Sequence, residues 1–142
     1  MPNRTLVRMA TATHEFWYRM SGGVIGGRIM GAPCLILTTT GRKSGAKRTT
    51  PLMFLRDGQD VVIVASYGGS PKHPVWYLNL QANPDAEVLI GREHRRVRAR
   101  TASDEERDRL WPQLVAMYKS YADYQTKTTR KIPVVILKPA GA

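Results

Sequence analysis

A single cysteine, three histidines and only eleven acidic residues occur among 142 residues, and each shortage excludes some chemistry. Cys34 alone forms no internal disulfide and builds no cysteine-rich zinc site. Inside the apolar run "APCLILTT" it reads as a small core residue in a reducing compartment. His14, His73 and His94 stand far apart, next to no partner motif, so each reads as a surface or turn residue and no metal site is expected. No run of eighteen apolar residues is present to span a membrane. The first fifteen residues lack the apolar core and small-residue cleavage site of a secretory signal. G-x-S-x-G, G-x-x-x-x-G-K-[ST] and a strand-borne G-x-G-x-x-G are all missing. Without a nucleophile motif, metal site or acid–base pair, catalysis would rest on a cofactor that supplies the reactive atom while the protein supplies position.

The scarcity of acid leaves 22 Lys and Arg largely uncompensated, a net charge of +11. Such a surface attracts polyanions: nucleic acid, anionic lipid, or a small phosphorylated or polycarboxylate ligand. The charge concentrates in "GRKSGAKRTTPL", residues 41–52, where Arg42, Lys43, Lys47 and Arg48 share a short loop with no carboxylate. Gly41 and Gly45 would let the loop turn several backbone N–H groups toward one anion, and Arg grips phosphate with two parallel bonds. From charge alone, an anion site and a solvated basic turn both fit.

Periodicity gives the frame. "CLILTTT" (34–40), "TTPLMFLR" (49–56) and "DVVIVAS" (60–66) read as strands, the last two joined by the turn "DGQ". "HPVWYLNLQANP" reads as a short helix, with Pro74 at its first position and Asn83-Pro84 stopping it. "AEVLIG" and "RRVRART" form a hairpin around Gly91, with Val97, Ala99 and Thr101 inward and Arg96, Arg98 and Arg100 outward. Ser103 with Glu106 makes a capping box for a helix reaching about Tyr118 and interrupted near Pro112. "IPVVILKP" (132–139) is a last strand. Six short strands with inserted helical pieces predict a mainly β (α+β) antiparallel barrel with helices packed outside. One domain, 1–142, is expected, with 1–31 an N-terminal helical or lid segment and 34–139 the barrel.

"LILTTTGRKSGAKRTTPLMFLRDG", "VASYGG", "PVWYLNLQANP" and "LWPQLVAMYKSYADYQ" together resemble the deazaflavin-dependent nitroreductase family of actinobacteria, from about Leu35 to Pro139. The resemblance implies a split β-barrel like that of FMN-binding oxidases. It also implies an oxidoreductase using reduced coenzyme F420 with an electron-poor small-molecule acceptor: a quinone, enone or nitro compound. By motif, Arg42, Lys43 and Ser44 would hold the coenzyme's phosphate and oligoglutamate tail. Arg48, Thr49, Thr50, Pro51, Leu52 and Met53 would line the deazaflavin. Val64, Ala65, Ser66 and Tyr67, with Val75, Trp76, Tyr77, Leu78 and Asn79, would close around ring and ribityl chain. Tyr118, Tyr121 and Tyr124 match the family's tyrosine row beside the substrate. At a spacing of three they would line one broad helical face, with Tyr121 central. Tyr121 would also touch the coenzyme, and a tyrosine or the Ser66 hydroxyl would polarise the acceptor oxygen. Ordinary aromatic core is the other reading of that row.

Met53 and Tyr67 replace a tyrosine and a lysine found in one branch of the family, so preference for a bicyclic nitroimidazole does not carry over. Residues 1–31 set Arg4, Arg8, Arg19 and Arg28 beside Phe16, Trp17 and Tyr18, a mixture that suits an anionic membrane surface. A cytoplasmic protein is expected, with peripheral contact at the inner face of the membrane or packing over the barrel as roles for this segment. Two other functions compete: an FMN-binding split barrel, and a nucleic-acid module suggested by five Arg between 92 and 100. "REHRRVRAR" carries no interleaved aromatics, which counts against the second, and nucleic acid is not an expected partner.

Overall fold

Two kinds of strand follow from the two patterns in the sequence. The computed structural model describes residues 28–29 and 32–140; the expected lid or membrane segment and its arginine–aromatic cluster lie outside the described residues, apart from Arg28 and Ile29 in the backbone. The strands are β1 (Arg28–Ile29), β2 (Ala32–Thr40), β3 (Lys47–Met53), β4 (Leu55–Asp57), β5 (Asp60–Val64), β6 (Asp85–Ile90), β7 (Glu93–Thr101) and β8 (Val134–Pro139). The helices are α1 (Val75–Ala82), α2 (Asp104–Met117) and α3 (Ser120–Thr126), with one 3-10 turn at Tyr67–Gly69.

The apolar runs of β5 and β8 are buried on both faces. Val61, Ile63, Val135 and Leu137 point into the barrel, alongside Leu35, Leu37, Val88 and Val97. Their neighbours Val62, Val64, Val134 and Ile136 meet Leu110, Leu114 and Tyr121 of the helices. Strand β7 alternates instead, with Val97 and Ala99 buried and Arg96, Arg98 and Arg100 exposed. Thr101, expected to point inward, is exposed at the strand's end, where its hydroxyl meets the Tyr77 hydroxyl at 2.8 Å. Cys34 is buried in β2, and burial pushes its thiol up to about 11, which makes it inert.

The strand expected over 49–56 is two strands. β3 pairs antiparallel with β2, from Thr40↔Lys47 to Cys34↔Met53. After the single residue Phe54, whose N–H donates to Pro33 O at 3.1 Å, β4 pairs with β5. This bent corner passes the chain from one neighbour to the other and closes the circuit β2–β6–β7–β8–β5–β4. With β3 and β4 counted as one bent strand, six strands make the barrel, an antiparallel split barrel with flanking helices. β3 ladders only with β2 among the described strands, so the seam between β3 and the end of β5 stays unzipped.

The interruption expected at Pro112 is absent: α2 runs through it. Pro112 lies on the exposed face, where water can replace the one hydrogen bond that proline removes. The helix starts at a complete capping box. Glu106 N–H donates to Ser103 Oγ at 3.3 Å, and Ser103 N–H donates to Glu106 Oε1 at 3.0 Å. Arg100 adds two bonds to the same carboxylate, at 2.6 and 2.7 Å. These Arg100 bonds first, then the Ser103 N–H, hold Glu106 down to about 2.

A carboxyl that ionises more readily in the folded chain stabilises it fully above its unfolded value. That contribution is lost as pH falls from about 5 towards 2. Glu106→Gln should therefore be less stable at neutral pH by about 1 kcal/mol, since the pair is partly exposed. Thermal denaturation of both proteins across this range should show the gap narrowing as pH falls. A gap independent of pH would mean that the charge contributes nothing.

Candidate active site

The unzipped seam opens into a cavity of about 740 Å³. One wall is β3, through Lys47, Arg48, Thr49, Thr50 and Leu52. Facing it are Val64 at the end of β5, Ser66 and Tyr67 of the following turn, and Val75, Trp76 and Asn79 of α1. Helix α1 is set there by its ends: Pro74 is its N-cap rather than its first residue, and the Asn83 N–H closes the last turn on Asn79 O. Trp76, Tyr77 and Leu80 bury one side of the helix against the barrel. Tyr67 and Val75, 61% and 62% exposed, are the two exposed large hydrophobic residues among those described, and both line this cavity. A bound apolar surface would cover them.

Asn79 is only 2% exposed, and its amide is committed at both ends. Oδ1 accepts from Arg42 N–H at 3.1 Å, and Nδ2 donates to Thr39 Oγ1 at 3.2 Å. The residue thus ties α1 to the start of the basic loop. That loop is only in part the nest of free N–H groups that its glycines suggested, since four of its amides are already bonded. Gly41 N–H bonds Ala46 O, Gly45 N–H bonds Gly41 O, Ala46 N–H bonds Ser44 Oγ, and Arg42 N–H is held by Asn79. Its charge, however, is uncommitted. The ion pairs among the described residues involve none of Arg42, Lys43, Lys47 or Arg48. Lys47 and Arg48 line the cavity, while Arg42, Lys43 and Ser44 stand exposed beyond it at the hairpin end.

A second cavity of about 200 Å³ adjoins the first through Leu52, Val64 and Ser66. Its other walls are Pro51, Met53, Gly68, Tyr118, Tyr121 and Tyr124. The tyrosines do not share one helix. Tyr118 is the C-cap of α2, and Tyr121 and Tyr124 belong to α3. The turn between the helices nevertheless gathers them, with ring centroids 5.1 to 6.4 Å apart, edge to face. Tyr121, 5% exposed, is part of the packed layer, so the core and cavity readings of the row both describe it. The Tyr118 and Tyr124 hydroxyls lie 3.0 Å apart. That bond lowers the Tyr118 hydroxyl's pKa and raises that of Tyr124, while burial raises Tyr121.

Besides Arg42, Lys43 and Ser44 in the loop, three of the residues expected at the site lie away from both cavities. Ala65 is fully buried, with its N–H on Pro133 O. Tyr77 turns away from both cavities toward Thr101, and half-buried Leu78 lines neither cavity. Thr39, Lys47, Pro74 and Gly68 line the cavities without having been singled out as site residues. Lys47 carried a signal, its place among the cations of the candidate anion loop. Arg130 carried none. It is one basic residue in "KTTRKIP", yet its guanidinium meets the carbonyls of Ala65, Ser66 and Ser70.

The model of the family described as F420H(2)-dependent quinone reductase matches residues 9–139. An F420H(2)-dependent quinone reductase of Mycobacterium tuberculosis (strain H37Rv) is 46% identical over 129 residues, 87% of this chain and 86% of that protein. A solved F420-H2 dependent reductase of the FDR-A type is 45% identical, with TM-score 0.70, over 78% of this chain and 98% of that one. A structure described as a domain-swapped dimer is 40% identical, with TM-score 0.72, over 89% of this chain and 96% of that one. With a family match over most of its length and relatives this similar, the chain belongs to the F420H(2)-dependent quinone reductase family.

Proposed function

We infer that the protein is an F420H(2)-dependent oxidoreductase that passes hydride from reduced coenzyme F420 to a small electron-poor acceptor, a quinone before an enone or nitro compound. The observation that carries this reading is the junction of two unlike cavities at the open seam. One is edged by the cations Lys47 and Arg48 and the other is walled by three tyrosines. The larger falls within the range of about 300–1,000 Å³ usual for small-molecule sites. Its residues fit a planar ring with an anionic tail. Leu52, Val64, Val75 and Trp76 offer apolar walls, and the unpaired edge of β3 from Arg48 to Met53 offers backbone donors and acceptors. Arg42, Lys43, Ser44 and Arg48 would hold the tail. Ala65, Tyr77 and Leu78 would act through the chain they hold rather than by contact.

When bound, the reduced coenzyme supplies a hydride from its deazaflavin ring. The protein's part is to hold donor and acceptor face to face, exclude water, and present a hydroxyl of Tyr118, Tyr121, Tyr124 or Ser66 to the acceptor oxygen. Met53 in the tyrosine cavity gives a soft, adaptable wall suited to a flat apolar quinone.

Titration of the purified protein with F420, FMN and single-stranded DNA, followed by cofactor fluorescence and DNA anisotropy, tests the reading. F420 alone should bind, and more weakly as salt rises. Lys43→Ala and Arg48→Ala should each cost roughly ten-fold in affinity, the effect of one charge-assisted bond. Unchanged binding in both variants would reduce the loop to a solvated turn, and preference for FMN or DNA would replace the assignment. We place the enzyme in the cytoplasm, with residues 1–31 resting on an anionic membrane or over the acceptor cavity; co-sedimentation with anionic vesicles, with and without this segment, separates the two. No helix among the described residues is long and apolar enough to cross a membrane.

A further inference from the structure

We propose that Arg130 is a positioning residue of this site: its guanidinium braces the chain from Ala65 to His73, holds Tyr67 in a left-handed turn, and so sets the wall where the two cavities meet. The proposal rests on the functional reading above. Arg130 reaches back some 60 residues along the chain. Nε donates to Ser70 O at 2.8 Å, one terminal nitrogen donates to Ala65 O at 3.1 Å, and the other donates to Ser66 O at 2.7 Å. The first of these terminal nitrogens also meets His73 Nδ1 at 3.2 Å. Burial, and then the Arg130 charge, lower the His73 pKa, which favours a neutral ring with the Nδ1 lone pair toward the guanidinium. None of the ion pairs among the described residues involves Arg130. A rigid planar fork of donors suits several carbonyls at once, and a lysine ammonium does not.

The braced segment contains the strain. Tyr67, with φ +45°, is the one described residue other than glycine in the left-handed region, and Gly68 and Gly69 follow it there at +63° and +81°. Glycine adopts this conformation freely, whereas for an L side chain it costs roughly ten-fold in population. Arg130 holds carbonyls on both sides of the strained residue. The local turn adds Gly69 N–H to Ser66 O at 3.0 Å and Ser70 N–H to Tyr67 O at 3.1 Å. The result is an exposed aromatic ring held at the mouth of the larger cavity. A strained backbone over-determined by its surroundings, beside a cavity, is the usual form of a preorganised site.

The brace also reaches the tyrosines. Gln125 of α3 donates to Arg130 O at 2.8 Å, and its carbonyl accepts from Ile132 N–H at 2.9 Å and Arg107 at 2.8 Å. Helix α3 in turn touches the turn at Gly69, where an added Cβ would lie 2.8 Å from Tyr124 O. Residue 130 therefore joins the two walls, holding the Tyr67 wall through its guanidinium and the tyrosine wall through its main-chain carbonyl.

The test uses the full chain with Arg130→Lys, Tyr67→Gly and the double variant. Hydrogen exchange, which needs no ligand, should quicken by roughly ten-fold at the Gly69 and Ser70 amides in Arg130→Lys, with the β8 amides unchanged. Coenzyme affinity should fall by roughly ten-fold in Arg130→Lys. In the Tyr67→Gly background, where there is no ring to hold, the same change should cost about two-fold or less. Equal losses in both backgrounds, or unaltered exchange at Gly69 and Ser70, would overturn the proposal and leave Arg130 as ordinary framework. Should Arg130→Lys fail to fold, Tyr67→Gly decides: it should keep or raise the melting temperature while weakening coenzyme binding, and lowered stability would count against stored strain. A wild-type chain that binds no F420 would overturn the functional reading and the coenzyme half of this proposal; the exchange result alone would then decide the brace.

Discussion

Replacing Tyr118 with Phe should lower turnover with a quinone by about 10²- to 10⁴-fold while coenzyme affinity stays within about two-fold. The ring, and the edge-to-face contacts it makes, are kept; only the hydroxyl is lost. That hydroxyl lies 3.0 Å from the Tyr124 hydroxyl, which can donate to a Tyr118 phenolate and so lowers the cost of losing its proton. The same bond makes Tyr124 the poorer acid, and burial does so for Tyr121. Of the three, Tyr118 is therefore the one suited to protonate an acceptor oxygen.

Tyr121, central in the row and so the first candidate for the largest effect, is packed into the helix layer, and Tyr121→Phe should lower turnover by no more than a few-fold. Loss of one neutral hydrogen bond costs about 1 kcal/mol, roughly five-fold in rate. Steady-state kinetics of the three Phe variants thus distinguish a proton donor from a positioning contact. A larger drop in Tyr121→Phe than in Tyr118→Phe would return the role to the buried residue.

Gly69→Ala should destabilise the fold by about 2–5 kcal/mol, while Gly68→Ala, one residue earlier, should cost only about 1–2 kcal/mol. Both glycines hold a positive φ, 81° and 63°, so both substitutions carry the left-handed penalty. They differ in what surrounds them. A Cβ on Gly68 meets nothing within 4 Å, whereas one on Gly69 would lie 2.8 Å from Tyr124 O and 3.1 Å from Tyr124 Cα and Lys127 Cβ. Two of those three atoms are backbone, so α3 itself would have to move. Denaturant melts of both variants read the difference directly. Since α3 carries Tyr121 and Tyr124, Gly69→Ala should also lower turnover in whatever fraction remains folded. Equal destabilisation by the two substitutions would show that the turn and the helix are not in tight contact.

Local patterning settles a good part of this molecule. The double-sided apolar runs "DVVIV" and "VVIL" specify strands buried on both faces, the alternation of "RRVRA" specifies one with a solvent face, and Ser103 with Glu106 specifies where α2 begins. These signals rest on side-chain periods of two or on bonds spanning three residues, so neighbours in sequence suffice to express them. The motifs "TTTGRKSG" and "WYLNLQANP" likewise carry the family. Other features depend on which strand pairs with which. The corner at Phe54 divides one strand-like run between two partners, and only the closed circuit shows that β3 is left without a second neighbour and that a cavity follows. Thr101 looks like an inward residue, and Tyr77 like a cofactor contact, until the end of β7 meets α1. Arg130 has no legible role within its own segment, because the carbonyls it holds are 60 to 65 residues earlier. A hydrogen bond has directional demands that neither composition nor periodicity encodes, so that brace exists only once β5, β8 and α3 are packed side by side.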